Sequence, residues 1–210
     1  MFKNFLMIFV LILFSCNQNV EKKITPENTL KTNYNNTEPN VAEKTWIESF
    51  KEFRNAIYNR DKIKVKTFIS FPIYNENNEI WFLENIQNEQ LVKNLSDQIT
   101  PFPETEFDKH YDDIFSRYFV NSILKIKTDI LFSKGEYETI QLKDKQTKYK
   151  IYASVNKKKN EIILNLATET AIEVNDRENE IIENSEYNVI YYFKIEEDKT
   201  IKFKQVRIAG

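Results

Sequence analysis

The chain predicts an α+β fold with N-terminal helices packed on a curved C-terminal antiparallel sheet. Three observations carry that expectation. Apolar residues recur at helical spacing between Trp46 and Leu124, the period changes from 3.6 to 2 after Lys127, and the alternation of the last segment slips once between Phe203 and Val206. The slip places a bulge near Lys204-Gln205, which bends the sheet round the helices so that the two layers enclose a cone.

The first element is an address. Met1 to Cys16 combines a short basic start at Lys3, an apolar run from Phe5 to Phe14, and a small residue, Ser15, before the only cysteine of the chain. This is the pattern of an export signal. Leu13-Phe14-Ser15-Cys16 resembles the lipobox of bacterial lipoproteins, and Phe14 departs from it by being larger than the residue usual there. The resemblance implies removal of residues 1–15 and acylation of Cys16. The apolar run is too short to span a bilayer, which takes roughly 20 residues. Residues 16–40 follow as a lipid-anchored flexible tether, rich in Asn, Thr, Glu and Lys, with Pro26 and Pro39 and no surviving period. Residues 41–210 form one domain.

Within the domain Trp46, Phe50, Phe53 and Ile57 share one face of an amphipathic helix. Asp61 is placed to cap a second helix carrying Val65, Phe68 and Ile69, which ends before Pro72. Phe71 to Tyr74 reads as extended, Asn75 to Glu79 as a polar turn, and Ile80-Trp81-Phe82 as a short strand. Leu91, Val92, Leu95 and Ile99 predict a helix from Asn88 to Gln98, stopped by Pro101 and Pro103. A further helix runs from Glu106 to Phe115, and Ser116 caps its continuation to Leu124. Strands are predicted at Asp129 to Ser133, Glu136 to Lys143, Lys148 to Val155, Glu161 to Thr170, Tyr187 to Glu196 and Thr200 to Ile208, joined by polar turns.

Composition narrows the function. Thirty Lys and Arg nearly balance 32 Asp and Glu, and the basic residues are dispersed, so nucleic acid has no electrostatic footprint. Two glycines rule out a glycine-rich phosphate or dinucleotide loop. With Cys16 consumed by lipid, thiol catalysis and cysteine zinc sites fall away. A single histidine, His110, lacks the partners of a metal set, so neither a metal nor a cofactor is expected.

The order helix, short helix, Phe68-Ile69-Ser70-Phe71-Pro72-Ile73, a helix bearing Phe107 to Phe115, then antiparallel strands resembles a family of exported, uncharacterised bacterial proteins with NTF2-like topology. The resemblance implies a pocket between sheet and helices. Tyr111, Phe115, Tyr191 and Phe193 are the aromatic candidates to line it.

These features favour a non-catalytic, lipid-anchored binding module of the cell envelope. It would sit on the outer or cytoplasmic membrane with its domain outside the cytoplasm, and take a small apolar ligand or an envelope protein. An inhibitor or immunity protein acting on an envelope toxin or enzyme shares the same features. A small hydrolase or isomerase using His110 or Tyr111 with Asp112 is the enzymatic alternative.

Overall fold

A computed structural model describes residues 45–83, 99–176 and 179–209, with the backbone alone for 172–176 and 179–183. The signal, Cys16, the tether and the helix predicted from Asn88 to Gln98 lie outside the described residues. Within them the architecture is α+β, with short helices leading into a six-stranded antiparallel sheet. No described helix is long and apolar enough to cross a membrane.

Thr45 starts helix α1 (Trp46–Tyr58) with the Thr-x-x-Glu arrangement of a capping box. Its hydroxyl accepts from the Ile47 N–H at 3.3 Å and donates to Glu48 at 2.9 Å. The helix buries the expected face, Trp46, Phe50, Phe53 and Ile57, together with Ser49 and Ala56. Asp61 caps α2 (Lys62–Lys66) as predicted, accepting from the Lys64 N–H at 2.9 Å. Phe68 and Ile69 are buried but lie beyond the end of that helix.

Phe71 to Tyr74, expected as extended, stands outside the six strands of the sheet. Its Phe71–Pro72 peptide is cis, and Ile73 makes an isolated pairing with Phe102. Ile80-Trp81-Phe82 lies in a 3-10 turn, Glu79–Phe82, entered through Asn78 in the left-handed region at φ 57°. Ile80 and Trp81 are adjacent and both buried, which a strand with alternating faces does not allow.

The helix expected from Glu106 to Phe115 is divided into α3 (Glu104–Phe107) and α4 (Tyr111–Ile114), and the continuation capped by Ser116 is α5 (Arg117–Ile123). Phe107, Tyr111, Phe115 and Phe119 recur every fourth residue, and on a straight helix that stripe drifts by about 40° per step. The breaks bring all four into the core. Ser116 caps α5 as predicted, accepting from Phe119 at 3.3 Å. Residues Asp129 to Ser133, predicted as a strand, belong to α6 (Thr128–Lys134). Gly135 ends it at φ 82°, donating to the Leu131 carbonyl at 2.8 Å.

The strand predicted from Glu136 to Lys143 is two, β1 (Glu136–Glu138) and β2 (Leu142–Asp144), which pair in succession along one edge of β3 (Thr147–Asn156). Between them Thr139 is buried, its hydroxyl accepting from the Ile151 N–H at 2.9 Å. Next come β4 (Glu161–Asp176), β5 (Asn179–Ile195) and β6 (Ile201–Ala209). The predicted bulge is present. Tyr192 faces Gln205 while Phe193 faces Phe203, leaving Lys204 unpaired in the register. Strands β4 and β5 run beyond their predicted ends as a two-stranded ribbon, from Ala171 opposite Asn184 to Asp176 opposite Asn179.

The inner sheet face, including Ile151, Leu164, Tyr191, Phe193, Phe203 and Val206, packs on the helices. Phe53 sits at the junction, 5.0 Å from the Phe193 ring centroid, 5.6 Å from Phe68 and 5.9 Å from Phe115.

The free side of β6 is covered by the segment after α2. The Phe203 N–H donates to the Phe68 carbonyl at 2.7 Å, and Ser70 N–H returns a bond to the Phe203 carbonyl at 3.3 Å. Farther along, Asn75 takes over with its side chain. Its amide donates to the Val206 carbonyl at 2.7 Å and accepts from the Val206 N–H at 3.1 Å. Glu79 accepts from the Ile208 N–H at 3.3 Å and is itself held by Asn75 at 3.0 Å. Replacing Asn75 with Ala leaves both Val206 groups without their partner, and is expected to cost about 2–4 kcal/mol in a urea unfolding titration.

Candidate functional site

Alternation fixes what the outer sheet face displays. The register sets Lys148, Glu169 and Glu186 in one row, Lys150, Ala167 and Asn188 in the next, and Tyr152, Asn165 and Ile190 in a third. The small Ala167 lies between the longer Lys150 and Asn188. A groove of about 360 Å³ runs here, lined among others by Gln141, Tyr152, Ala167, Glu169, Glu186 and Asn188.

The charges of the groove are largely committed. Lys148 pairs with Glu169 at 3.2 Å and Lys150 with Glu138 at 2.8 Å. The bond to Glu138, and after it Tyr152, raises the Lys150 ammonium to about 12. Its nitrogen stands 4.7 Å from the Tyr152 ring centroid, and Tyr152 is 42% exposed. The side chains of Gln141, Glu186 and Asn188 make no hydrogen bond or ion pair among the described residues. One row away, the buried Oδ1 of Asn165 also has no partner. These are groups with capacity left for a ligand. The sequence reading did not single them out, because polar residues alternating along an outer strand face look like ordinary solvated surface; Tyr152 facing outward among them was the available signal.

The predicted pocket residues lie on the other side of the sheet. Tyr111, Phe115 and Tyr191 are each 1% exposed and Phe193 is fully buried. The fold does bring them together. Tyr111 and Phe115 are 5.7 Å apart, Phe115 and Tyr191 are stacked at 6.3 Å, and Phe53 joins Phe193 to the group. Their polar ends are spent on backbone, Tyr111 donating to the Ile57 carbonyl at 3.2 Å and Tyr191 to the Ile114 carbonyl at 2.9 Å. They occupy the interior as packed core, and none of them lines the outer groove.

His110 stands at the edge of that core with its side chain 10% exposed, its ring edge-on to Phe102. Its Nδ1 is 3.1 Å from Asp113, and its Nε2 is 3.6 Å from Glu106, one helical turn earlier. The grouping of His110 or Tyr111 with Asp112 is therefore corrected. Asp112 turns outward to Arg60 at 2.6 Å, and Asp113 is the histidine's partner. Glu106 was available to sequence reasoning, since it stands four residues before His110 on the helix expected from Glu106 to Phe115. Among the described residues no group of three His, Cys, Asp or Glu is placed to hold a metal ion.

No known protein family matches the chain, and no curated protein matches it. Among solved structures it is similar to a Shewanella frigidimarina protein assigned as a ketosteroid isomerase. The identity is 12%, the match covers 77% of this chain and 92% of that one, and the TM-score is 0.31. A likeness at that level carries no argument about fold or chemistry.

Burial pushes the Tyr111 phenol up to about 12, the nearby Arg60 charge opposing it only in part. The folded chain thus keeps a proton that the unfolded chain releases near pH 10. Stability from this group is complete below about pH 10 and falls as pH rises to about 12. Denaturation midpoints measured across that interval are expected to fall less steeply in Tyr111→Phe than in the unmodified chain.

Proposed function

We propose that the chain is a lipid-anchored binding module of the cell envelope, non-catalytic, presenting the outer sheet face to its ligand. The observation that carries this is the groove around Tyr152, where Gln141, Glu186 and Asn188 have hydrogen-bonding capacity left uncommitted. Membrane attachment through Cys16 is supported by the lipobox-like Leu13 to Cys16. Acyl chains contribute about 0.8 kcal/mol per buried methylene, so several of them make attachment effectively permanent. An NTF2-like arrangement is supported by the order of elements and by the bulge at Lys204, which bends the sheet. The aromatic interior serves stability in this proposal, and recognition moves from the cone to the outside of the sheet. An immunity or inhibitory role is a special case in which the ligand is an envelope protein.

Two measurements test it. Cys16→Ser is expected to move the chain from the membrane pellet to the soluble fraction, and continued sedimentation with membranes would remove the anchor. Full-length protein extracted in detergent is expected to retain an envelope component that Tyr152→Ala loses, with the two chains melting at the same temperature. Equal retention by both would remove the groove.

One observation favours a second reading, an isomerase or hydrolase: the 3.1 Å approach of His110 Nδ1 to Asp113, a geometry suited to orienting an imidazole base. Under the binding proposal His110→Ala retains the envelope component. Loss of a cellular phenotype in His110→Ala with capture unchanged would transfer the function to this pair.

A further inference from the structure

We infer that the outer-face groove is a saccharide site, taking a neutral oligosaccharide whose ring lies on Tyr152 and whose vicinal hydroxyls meet Asn188, Gln141 and Glu186. The inference rests on the proposal that this groove binds a ligand, and names the ligand's chemistry.

Size comes first. A volume of about 360 Å³ is in the range of small-molecule sites, roughly 300–1,000 Å³. The charge inventory then eliminates classes. Both groove lysines are engaged, Lys148 with Glu169 and Lys150 with Glu138, so an incoming phosphate or carboxylate meets no uncommitted cation. It does meet Glu186, a carboxylate with no partner among the described residues. Anionic ligands are disfavoured on both counts. A purely apolar ligand fits no better, because it would cover the Gln141, Asn188 and Glu186 groups without satisfying them.

A cation would be served by Glu186 alone, since Glu169 and Glu138 are already paired with the lysines, whereas a ligand that is flat and apolar on one side and dense in hydroxyls around its edge uses Tyr152, the amides and Glu186 together. Tyr152 supplies the platform, 42% exposed, on the part of its ring that the Lys150 ammonium, 4.7 Å from the centroid, leaves open. Ala167, in the neighbouring row between Lys150 and Asn188, keeps the floor low enough for a ring to approach the sheet. The amides of Gln141 and Asn188 each offer donor and acceptor atoms, and Glu186 adds acceptors. Adjacent hydroxyls on a sugar ring present the complementary alternation of donors and acceptors. The ring of a neutral hexose thus matches the aromatic face, the amide edges and the Glu186 acceptor together.

The test uses the full-length chain in a sugar-free detergent, with carbon-13 label in its tyrosine rings and the Tyr152 signals assigned by Tyr152→Phe. The probes are maltotriose and chitotriose, both neutral, with trigalacturonate as the anionic and spermidine as the cationic comparison. At least one neutral trisaccharide is expected to shift the Tyr152 signals saturably. Asn188→Ala is expected to weaken that binding about tenfold, the equivalent of about 1.4 kcal/mol, and Tyr152→Ala to abolish it, both chains melting as the parent does. The inference is overturned if neither neutral sugar shifts Tyr152, if binding persists in Tyr152→Ala, or if only spermidine or trigalacturonate binds. Its failure is separable from that of the binding proposal. When the sugars fail but envelope capture still depends on Tyr152, the ligand class alone is wrong; when capture is also independent of Tyr152, the groove itself is not the site.

Discussion

The structure depends on how the last strand is finished. An edge strand exposes N–H and C=O groups that must find partners, and most sheets supply another strand or leave the edge to water. Here β6 is finished by a segment that is not a strand. Backbone bonds at Phe68 and Ser70 give way to side-chain bonds from Asn75 and Glu79, and Lys202 and Lys204 add contacts to the Thr67 carbonyl and the Ser70 hydroxyl. The same segment leads directly from α2, so covering the edge also fastens the helices to the sheet. Ser49 of α1 completes the attachment by accepting from the Ile201 N–H at 3.0 Å.

Elements governed by local chemistry were legible in the sequence. The face of α1, the caps at Asp61 and Ser116, strand β3 and the bulge at Lys204 each follow from spacing or from one residue type, and each is present. What escaped depends on tertiary context. Asp129 to Ser133 carries too few residues for its period to be decided, and Gly135, which ends the helix, reads equally well as a hairpin turn. The ribbon of β4 and β5 is polar enough to resemble a loop. Asn75 resembles a solvated turn residue, yet it is fully buried, because its amide imitates the backbone of a missing strand.

The candidate site was the least legible part, for a reason rooted in the same alternation. Large aromatic residues advertise themselves, and in this chain they advertise the core: Tyr111 packs on Phe115 and Phe115 on Tyr191, while Phe193 packs on Phe53 and Phe203, at typical ring distances. The groove is made of residues unremarkable one by one. Gln141, Tyr152, Ala167, Glu186 and Asn188 become a site only through cross-strand register, which no single segment of sequence encodes.

The ribbon formed where β4 and β5 outlast their neighbours has a further consequence, in time instead of space. From residue 172 to Asp176 and from Asn179 to Tyr187, neither β3 nor β6 lies alongside, so each strand is held by one ladder where the central sheet has two. A two-stranded ladder is marginal by itself. Its amide protons are therefore expected to exchange with solvent sooner than those of Leu164 or Tyr191, through a local opening that leaves the packed interior closed. Glu186 and Asn188 stand where the single ladder meets the wider sheet, so the groove has one wall backed by two ladders and one at the place where the second ladder ends.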